Sequence, residues 1–420
     1  MPLVGLSSDT IKQKLLCWGS RHSSFLFLDS CGYPDPYGRY EWIAAVGEKK
    51  RLRSWQELHA HSEGQWLFGH ISYDAFETLP HFALRSKHLD QTQWSPITFF
   101  IPEAVVALER GSITPVLYAA PEDVERLQAA LFNEAISEPE AIPAVSFSPA
   151  LAEQDYLQTI EALREHIAAG DCYEINFCNA RHADAPLVLS TLSVFQSLVE
   201  RSPAPFAAYY QTDGLSMTGA SPERYLRVSG KKVLSQPIKG TARRHADPFQ
   251  DKAASDTLRA SPKEQAENVM IVDLTRSDLA RVCEVGSIQV DELFGIQSFP
   301  AVHQLVSTVS GTLQGGKTWV DALEASFPMG SMTGAPKRKV IELIDRYEPA
   351  RRGLFSGTVG YVSPSGAADF NVVIRSLFYD QHTQELSYST GGAITWGSDP
   401  VSEWEETLLK GEALERLFKP

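Results

Sequence analysis

The sequence predicts an α+β fold in which two β-sheets pack against each other and helices cover the outside. Strand-like runs and helical periods follow one another in mixed order, not in the regular alternation of a parallel βαβ repeat. The chain has 420 residues, of which 43% are hydrophobic, so it can bury a large core without disulfides. Its five cysteines, an odd number without a C-x-x-C pair, fit neither a disulfide scaffold nor a zinc site.

Net charge and hydropathy argue against several further classes of protein. The formal charge of −14 at pH 7 disfavours nucleic acid and anionic membranes as partners, because both attract basic faces. No apolar run reaches the roughly 18 residues of a membrane span, and the first residues lack the pattern of a signal peptide. We therefore expect a cytoplasmic protein without a membrane or nucleic-acid partner.

Composition divides the sequence into an N-terminal region at 1–132, a linker at 133–153 and a catalytic domain at 154–420. The linker is rich in Glu and Pro and has little periodicity. The N-terminal region contains two strand-like runs and one short helical segment, at residues 25–28, 97–108 and 55–61.

Helical periodicity is clearest at residues 155–169. Tyr156, Ile160 and Leu163 are spaced as one face of a helix, and Gly170 ends the segment.

A second strong helix signal is the N-cap Ser261 followed by Pro262, which predicts a helix to about residue 282. Three more helices are predicted, at residues 319–326, 336–347 and 401–418. Strands are predicted at residues 172–180, 205–211, 215–219, 223–228, 232–238, 357–362, 370–379 and 385–389.

Two of these helices carry carboxylates that share a face. Glu403, Glu406 and Lys410 lie on one face of the last helix, and Glu267 shares a face with apolar residues of the helix that follows Ser261. Carboxylates that converge from two helices would suit Mg²⁺. Acidic residues on amphipathic helices are usually solvated, however, and spacing alone favours that simpler interpretation.

Glycine-rich segments follow two predicted strands and precede one helix, at Gln236–Thr241, Thr390–Ala393 and Gly330–Lys337. Glycine lets the backbone approach a ligand closely and leaves N–H groups free to bind anions. Each segment by itself is equally typical of a tight turn, and none is a nucleotide-binding fingerprint.

Taken together, nine segments in a fixed order resemble the chorismate-utilising enzymes. They are A-S-P-E-R at 220–224, P-I-K-G-T at 237–241, A-E-N at 266–268, D-L-x-R-x-D at 273–278, V-H-x-L-V-S at 302–307, G-S-M-T-G-A-P-K at 330–337, I-R at 374–375, G-G-A at 391–393 and E-x-x-E-x-x-x-K at 403–410. The resemblance is strong from 154 to 418 and looser over the first 130 residues. It implies the fold of that family, with two packed sheets and outer helices.

One residue separates the branches of this family. The branch that makes anthranilate generally has Ala at the position of Lys239, and the branch that makes 4-amino-4-deoxychorismate for 4-aminobenzoate and folate has Lys. The resemblance therefore implies an enzyme that replaces the 4-hydroxyl of chorismate by an amino group. The alternatives are an anthranilate-forming enzyme and a relative that binds chorismate or tryptophan without turnover.

The resemblance also assigns catalytic roles. Lys239 is the nucleophile that forms a covalent intermediate, and Glu223 is the general acid that protonates the leaving hydroxyl. Because Lys239 must lose its proton first, we expect a desolvated or cation-rich pocket, with a surface lysine as the alternative. His303 matches an active-site histidine of the family, and a structural histidine is the alternative.

Metal and substrate ligands follow from the same resemblance. Mg²⁺ is expected on Glu267 and Glu406, with Glu403 binding directly or through water. Arg375 has the planar fork that suits a carboxylate. The full set of expected substrate contacts is Gly240, Thr241, Arg375, Gly391, Gly392, Ala393 and Lys410.

Two residues depart from the family pattern. Glu174 stands where this branch commonly has Gln and where isochorismate-forming enzymes have a Lys that activates water. The absence of Lys there argues against water as the nucleophile. Phe355 stands where anthranilate-forming enzymes have Tyr.

The sequence contains no glutaminase region, so ammonia is expected from a separate glutamine amidotransferase subunit or from solution.

Overall fold

The computed structural model describes residues 1–82, 84–89, 92–300 and 302–419. Two large antiparallel sheets form its centre, and helices surround them. The α-helices of this part of the chain are α1 (Ser8–Gly19), α2 (Trp55–Ala60), α3 (Val124–Asn133), α4 (Glu153–Ala168), α5 (Thr191–Arg201), α6 (Pro248–Ala260), α7 (Pro262–Ala280), α8 (Trp319–Ser326), α9 (Lys337–Tyr347) and α10 (Pro400–Glu415). The strands are β1 (Ser24–Asp29), β2 (Tyr40–Val46), β3 (Lys50–Leu52), β4 (Leu67–Ile71), β5 (Ile97–Ile101), β6 (Ala104–Glu109), β7 (Val116–Ala119), β8 (Phe147–Pro149), β9 (Glu174–Ala183), β10 (Phe206–Thr212), β11 (Leu215–Ser221), β12 (Arg224–Ser229), β13 (Lys232–Gln236), β14 (Ile238–Arg243), β15 (Gln289–Ser298), β16 (Val302–Thr312), β17 (Gly334–Ala335), β18 (Thr358–Val362), β19 (Ala368–Asn371), β20 (Ser376–Asp380) and β21 (Glu385–Ile394).

The strand order mixes early and late parts of the chain. The first sheet runs β17-β9-β21-β20-β11-β10-β1-β2-β6-β7, with β8 added on β9. The second sheet runs β14-β16-β13-β12-β19-β18-β4-β5-β3, with β15 added on β16. Because β1 pairs with β10 and β4 pairs with β18, the N-terminal region contributes strands to both sheets.

One cluster of buried side chains includes residues of both sheets, with Phe99 of β5 5.7 Å from Trp319 of α8, ring centre to ring centre. The predicted α+β architecture of two packed sheets is confirmed. The division of the chain at residues 133–153 stays a prediction, and the strand pairing gives the regions on either side a common core.

Six of the predicted helices agree with the structure, and three predicted strands are each divided in two. Pro102 separates β5 from β6, and Pro237 separates β13 from β14, because proline lacks the N–H that a strand ladder uses. Arg375, which has a φ of 52°, lies between β19 and β20. This left-handed conformation interrupts the extended backbone.

Four helices were not predicted, namely α1, α3, α5 and α6. The helix α6 buries only Leu258, so its sequence has no apolar face that periodicity could detect. No helix of the described residues combines the length and the apolar character that crossing a membrane requires.

Candidate active site

Lys239 and Glu174 form an ion pair between the two sheets. Lys239 lies on β14, at the edge of the second sheet, and Glu174 begins β9, near the edge of the first. Lys239 Nζ is 2.7 Å from Glu174 Oε1. The Lys239 side chain is 9% exposed and Glu174 is fully buried. A primary amine is therefore held in a site with little access to water.

A break in strand pairing directs Lys239 inward. β14 pairs with β16 at Ile238 and again from Thr241, with a register shift between the two positions. Gly240, inside this break, has a φ of 94°, which glycine adopts at little steric cost. A bulge of this kind turns a side chain out of the regular alternation of a strand.

The charge around Lys239 is negative. Burial would lower the pKa of Lys239, but Glu174, with help from Glu267 and Glu223, holds that pKa above its ordinary value. The expected desolvation is observed, whereas the groups that act on the amine are carboxylates and not cations. The amine is consequently protonated at neutral pH and needs a proton acceptor before it can act as a nucleophile.

Glu223 lies between β11 and β12, close enough to Lys239 for their charges to interact, and is 4% exposed. Burial raises the pKa of Glu223 to about 7, against the opposing effects of the Ser331 hydroxyl, the Lys239 charge and the Ile238 N–H. A carboxyl with this pKa holds a proton close to neutral pH and can serve as a general acid.

Four carboxylates face one another from α7 and α10. Glu267, Glu403 and Glu406 were predicted from the sequence, and the structure adds Glu264. A Cβ atom placed on Gly240 would lie 2.7 Å from Glu264 Oε2. The signal that could have found Glu264 is its position three residues before Glu267, which repeats the spacing of the pair on α10.

These carboxylates shift one another's pKa values. Burial raises the pKa of Glu267 to about 7 and also raises the pKa values of Glu264 and Glu403. Burial acts in the same direction on Glu406, but Lys410 Nζ, 2.6 Å from Glu406 Oε1, lowers its pKa below the ordinary value. The charge of Glu406 also acts on Glu264, so the two helices interact across the site.

The donor chemistry of this cluster fits a hard divalent cation. Carboxylate oxygens from two helices are ligands that Mg²⁺ takes together with water and substrate oxygens. The three predicted ligands, Glu267, Glu403 and Glu406, do not all approach within 4.8 Å of one another; the described residues contain such a group only at His59, Asp321 and Glu324, on the surface. The arrangement therefore fits a metal held by one or two carboxylates, with other oxygens completing the shell.

Arg375 is a cation for which the described part of the chain offers no counter-ion. It lies between β19 and β20 and is partly buried. No side chain of the described residues forms a hydrogen bond or ion pair with its guanidinium, and burial lowers its pKa. An unpaired guanidinium in such a place is suited to bind an anionic group of a ligand.

The predicted backbone contacts at Gly391, Gly392 and Ala393 lie on β21, next to α10. β9 pairs with β21 through Gly391, Gly392 and Ala393, whereas β20 pairs with β21 only as far as Tyr388. One edge of this glycine segment is thus free of a strand partner in the described structure. Lys410 Nζ donates to Gly391 O at 2.7 Å, which attaches α10 to that segment.

The hydrogen-bond contacts of His303 are with residues other than Lys239. Its ring nitrogens contact the Ser298 hydroxyl at 2.8 Å and Asp251 Oδ1 at 3.1 Å. Both nitrogens have protein partners, which favours the structural alternative, and the catalytic role stays a prediction.

Thr241, the second residue of the predicted backbone anion site on β14, is exposed. Phe355 is buried.

A buried amine, a cluster of carboxylates and a free guanidinium are typical of an enzyme site for a small anionic molecule. A family model described as chorismate binding enzyme matches residues 12–416. The chain therefore belongs to the chorismate-binding enzyme family.

Individual relatives agree with this assignment. Aminodeoxychorismate synthase of Streptomyces griseus is 39% identical over 338 residues, which are 77% of this chain and 46% of that protein. Aminodeoxychorismate synthase component 1 of Escherichia coli is 33% identical over 345 residues, 82% of this chain and 74% of that protein. The chain thus spans about half the length of the Streptomyces griseus relative.

A solved structure shares the fold. Anthranilate synthase component I of Streptococcus pneumoniae superimposes with a TM-score of 0.81 over 91% of this chain and 94% of that chain, at 23% sequence identity. The predicted family fold is therefore confirmed.

Proposed function

We propose that this protein converts chorismate and ammonia to 4-amino-4-deoxychorismate, the precursor of 4-aminobenzoate in folate biosynthesis. The observation that carries the proposal is the buried Lys239 amine, 2.7 Å from Glu174 and coupled to the protonatable carboxyl of Glu223. Relatives named aminodeoxychorismate synthase support it.

The chemistry requires both an acid and a nucleophile. Hydroxide is a poor leaving group, so Glu223 donates its proton to the 4-hydroxyl, which departs as water. Lys239 Nζ forms a bond to C2 of the ring while the two ring double bonds shift and the C4–O bond breaks. Ammonia then adds at C4, the double bonds shift back, and the lysine amine leaves. The covalent detour divides one difficult substitution into two easier ones.

The remaining residues bind and orient the dianionic substrate. Arg375 pairs with the enolpyruvyl carboxylate, and N–H groups at Gly240–Thr241 and Gly391–Ala393 bind further oxygens. Glu267 and Glu406 would hold Mg²⁺, with Glu403 directly or through water and Glu264 beside them. When bound, the metal neutralises the ring carboxylate and fixes its position.

Ammonia enters from outside the described site. None of its residues forms the Cys–His arrangement of a glutaminase, since the two nearby cysteines, Cys172 and Cys178, are buried with raised pKa values. We propose a glutamine amidotransferase partner as the nitrogen source, with free ammonia as its substitute in vitro.

The test is incubation with chorismate, Mg²⁺ and ammonium, with and without an aminodeoxychorismate lyase. The proposal expects 4-aminobenzoate only when the lyase is present. Lys239→Ala should abolish the product, and Lys231→Ala, which changes an exposed lysine on the preceding turn, should not. Anthranilate fluorescence without lyase would identify the anthranilate-forming alternative, and binding without any product would identify the non-catalytic one.

A further inference from the structure

Glu174 is a buried carboxylate whose surroundings offer it a single partner. Its Oε1 atom is 2.7 Å from Lys239 Nζ, and the residue has no exposed surface. Apart from this ion pair, neither carboxylate oxygen has a hydrogen-bond partner among the described residues. Buried carboxylates are normally satisfied by several donors, so this one is free to accept a proton.

The other charged groups around the pair make loss of the Lys239 proton to solvent unfavourable. The groups that face it are Glu223 before β12, Glu264 and Glu267 on α7, and Glu406 on α10. The nearest cations belong to these carboxylates, since Lys410 pairs with Glu406 and Lys263 lies 4.0 Å from Glu267. Negative charge on several sides favours the ammonium form of Lys239.

Transfer of the proton within the pair avoids this obstacle. A buried ion pair loses the solvation of both ions, and a neutral amine beside a neutral carboxylic acid does not. When a substrate expels the remaining water, the neutral pair gains relative to the ionic one, and no net charge enters or leaves the site.

This inference rests on the proposed function: we propose that Glu174 is the catalytic proton acceptor for Lys239. Lys239 Nζ passes one proton to Glu174, and the resulting amine attacks C2 as Glu223 donates its proton to the leaving hydroxyl. The adduct nitrogen carries a positive charge, so it leaves as a neutral amine when ammonia adds at C4. Glu174 then returns its proton to Lys239, and the new ammonium group gives one proton back to Glu223.

The test measures formation of the Lys239 adduct without ammonia, in a single turnover followed by intact-protein mass spectrometry from pH 6 to pH 9. In the wild type the amine is freed within the pair, so deprotonation adds no pH dependence. In Glu174→Gln the proton must go to solvent, so the rate should rise about tenfold per pH unit up to about pH 7. Above pH 7 this rise should be offset by the loss of the Glu223 proton, so that the Gln variant levels off where the wild type declines. Glu174→Asp should keep the wild-type profile at a lower rate, because it retains a carboxylate.

A matched control is Glu134→Gln, which changes another buried glutamate. Glu134 pairs with Arg21 and takes no part in the proposed site, so this variant should leave adduct formation unchanged. The role of Glu174 is overturned if the Gln variant reproduces the wild-type pH profile. If Glu174→Gln does not fold, Glu174→Asp decides, since a profile that rises with pH in the Asp variant also overturns it. A wild-type protein that forms neither adduct nor aminated product overturns the proposed function instead.

Discussion

Gly392 lies so close to Glu403 that even a Cβ atom at Gly392 would displace the Glu403 carboxylate. A Cβ atom at Gly392 would lie 2.9 Å from Glu403 Oε2 and 3.9 Å from Glu406 Oε1. The strand β21 and the helix α10 therefore meet where the candidate metal ligands lie, and the glycine sets the position of the carboxylates.

Gly392→Ala should weaken binding of the proposed Mg²⁺ by displacing Glu403. Shifts of the groups that position metal ligands typically cost about 10–100-fold in affinity or activity. We expect the Mg²⁺ concentration for half-maximal activity to rise by about that factor, measured by titration at saturating chorismate. Gly397→Ala is the control, because a Cβ at Gly397 has nothing within 4 Å and its φ is not left-handed. An unchanged titration in the Gly392 variant would show that these carboxylates do not hold the metal.

Glu223→Gln tests the general acid through pH dependence. With a pKa of about 7, Glu223 is protonated below pH 7 and loses its proton above it, so adduct formation in the wild type should decline above about pH 7. The Gln variant should be about 10²–10⁴-fold slower and should lack that decline. Glu161→Gln, on an exposed surface, should match the wild type.

Thermal unfolding gives an independent check on Glu223. A carboxyl whose pKa is raised on folding stabilises the protein below its unfolded pKa, and that contribution is lost as pH rises through the folded value of about 7. The wild type should therefore lose stability relative to Glu223→Gln between about pH 5 and pH 8, by roughly 3 kcal/mol in all. A constant difference between the two proteins over this range would contradict a buried, protonated Glu223.

The fold class was predicted from the order and spacing of short segments that resemble the chorismate-utilising enzymes, and it is confirmed. The roles of the candidate site residues stay predictions, although the structure brings several of them together. The start of α7 also agrees with its prediction, because the Ser261 side chain caps the helix by accepting from the Glu264 N–H, as the Ser-Pro pair indicated. Glu264 itself was missed as a site residue, since its face of α7 becomes functional only when β14 and α10 are placed beside it.

Pairing across the sheets lay outside what the sequence could predict. The contact of Lys239 with Glu174 joins residues 65 positions apart, and it depends on a bulge at Gly240 that strand alternation does not indicate. The partners of His303 likewise come from α6 and β15, which have weak periodic signals. The resemblance of short segments named the candidate residues, and their placement in three dimensions reveals which of them touch.

Arg375→Lys should impair substrate binding more than turnover. Among the described residues the guanidinium has no side-chain partner, so we expect it to bind a substrate carboxylate. A lysine cannot hold a carboxylate with two parallel bonds. We expect the KM for chorismate to rise about tenfold or more, with a smaller change in kcat. Arg126→Lys, on an exposed helix position paired with Asp123, is the control. A fall in kcat at unchanged KM would place Arg375 outside the substrate pocket.

The buried pair of Glu348 and Arg352 should determine stability and not chemistry. Glu348 accepts from the Cys178 N–H at 2.9 Å, and Arg352 Nη2 donates to Asn176 O at 2.7 Å, so the pair secures β9 two residues after Glu174. Glu348→Ala removes one member and leaves a buried guanidinium unpaired, which typically costs about 3–5 kcal/mol.

Chemical denaturation of three variants, compared with the wild type, distinguishes the contribution of this buried pair to the free energy of unfolding from that of an exposed pair. Glu348→Ala should be markedly less stable than the double variant Glu348→Leu with Arg352→Met, because the double variant leaves no unpaired charge. Asp256→Ala, which breaks an exposed pair with Lys252, should change the free energy of unfolding by at most about 1 kcal/mol. If the double variant is no more stable than Glu348→Ala, the pair acts through its hydrogen bonds to β9 and not through its charge.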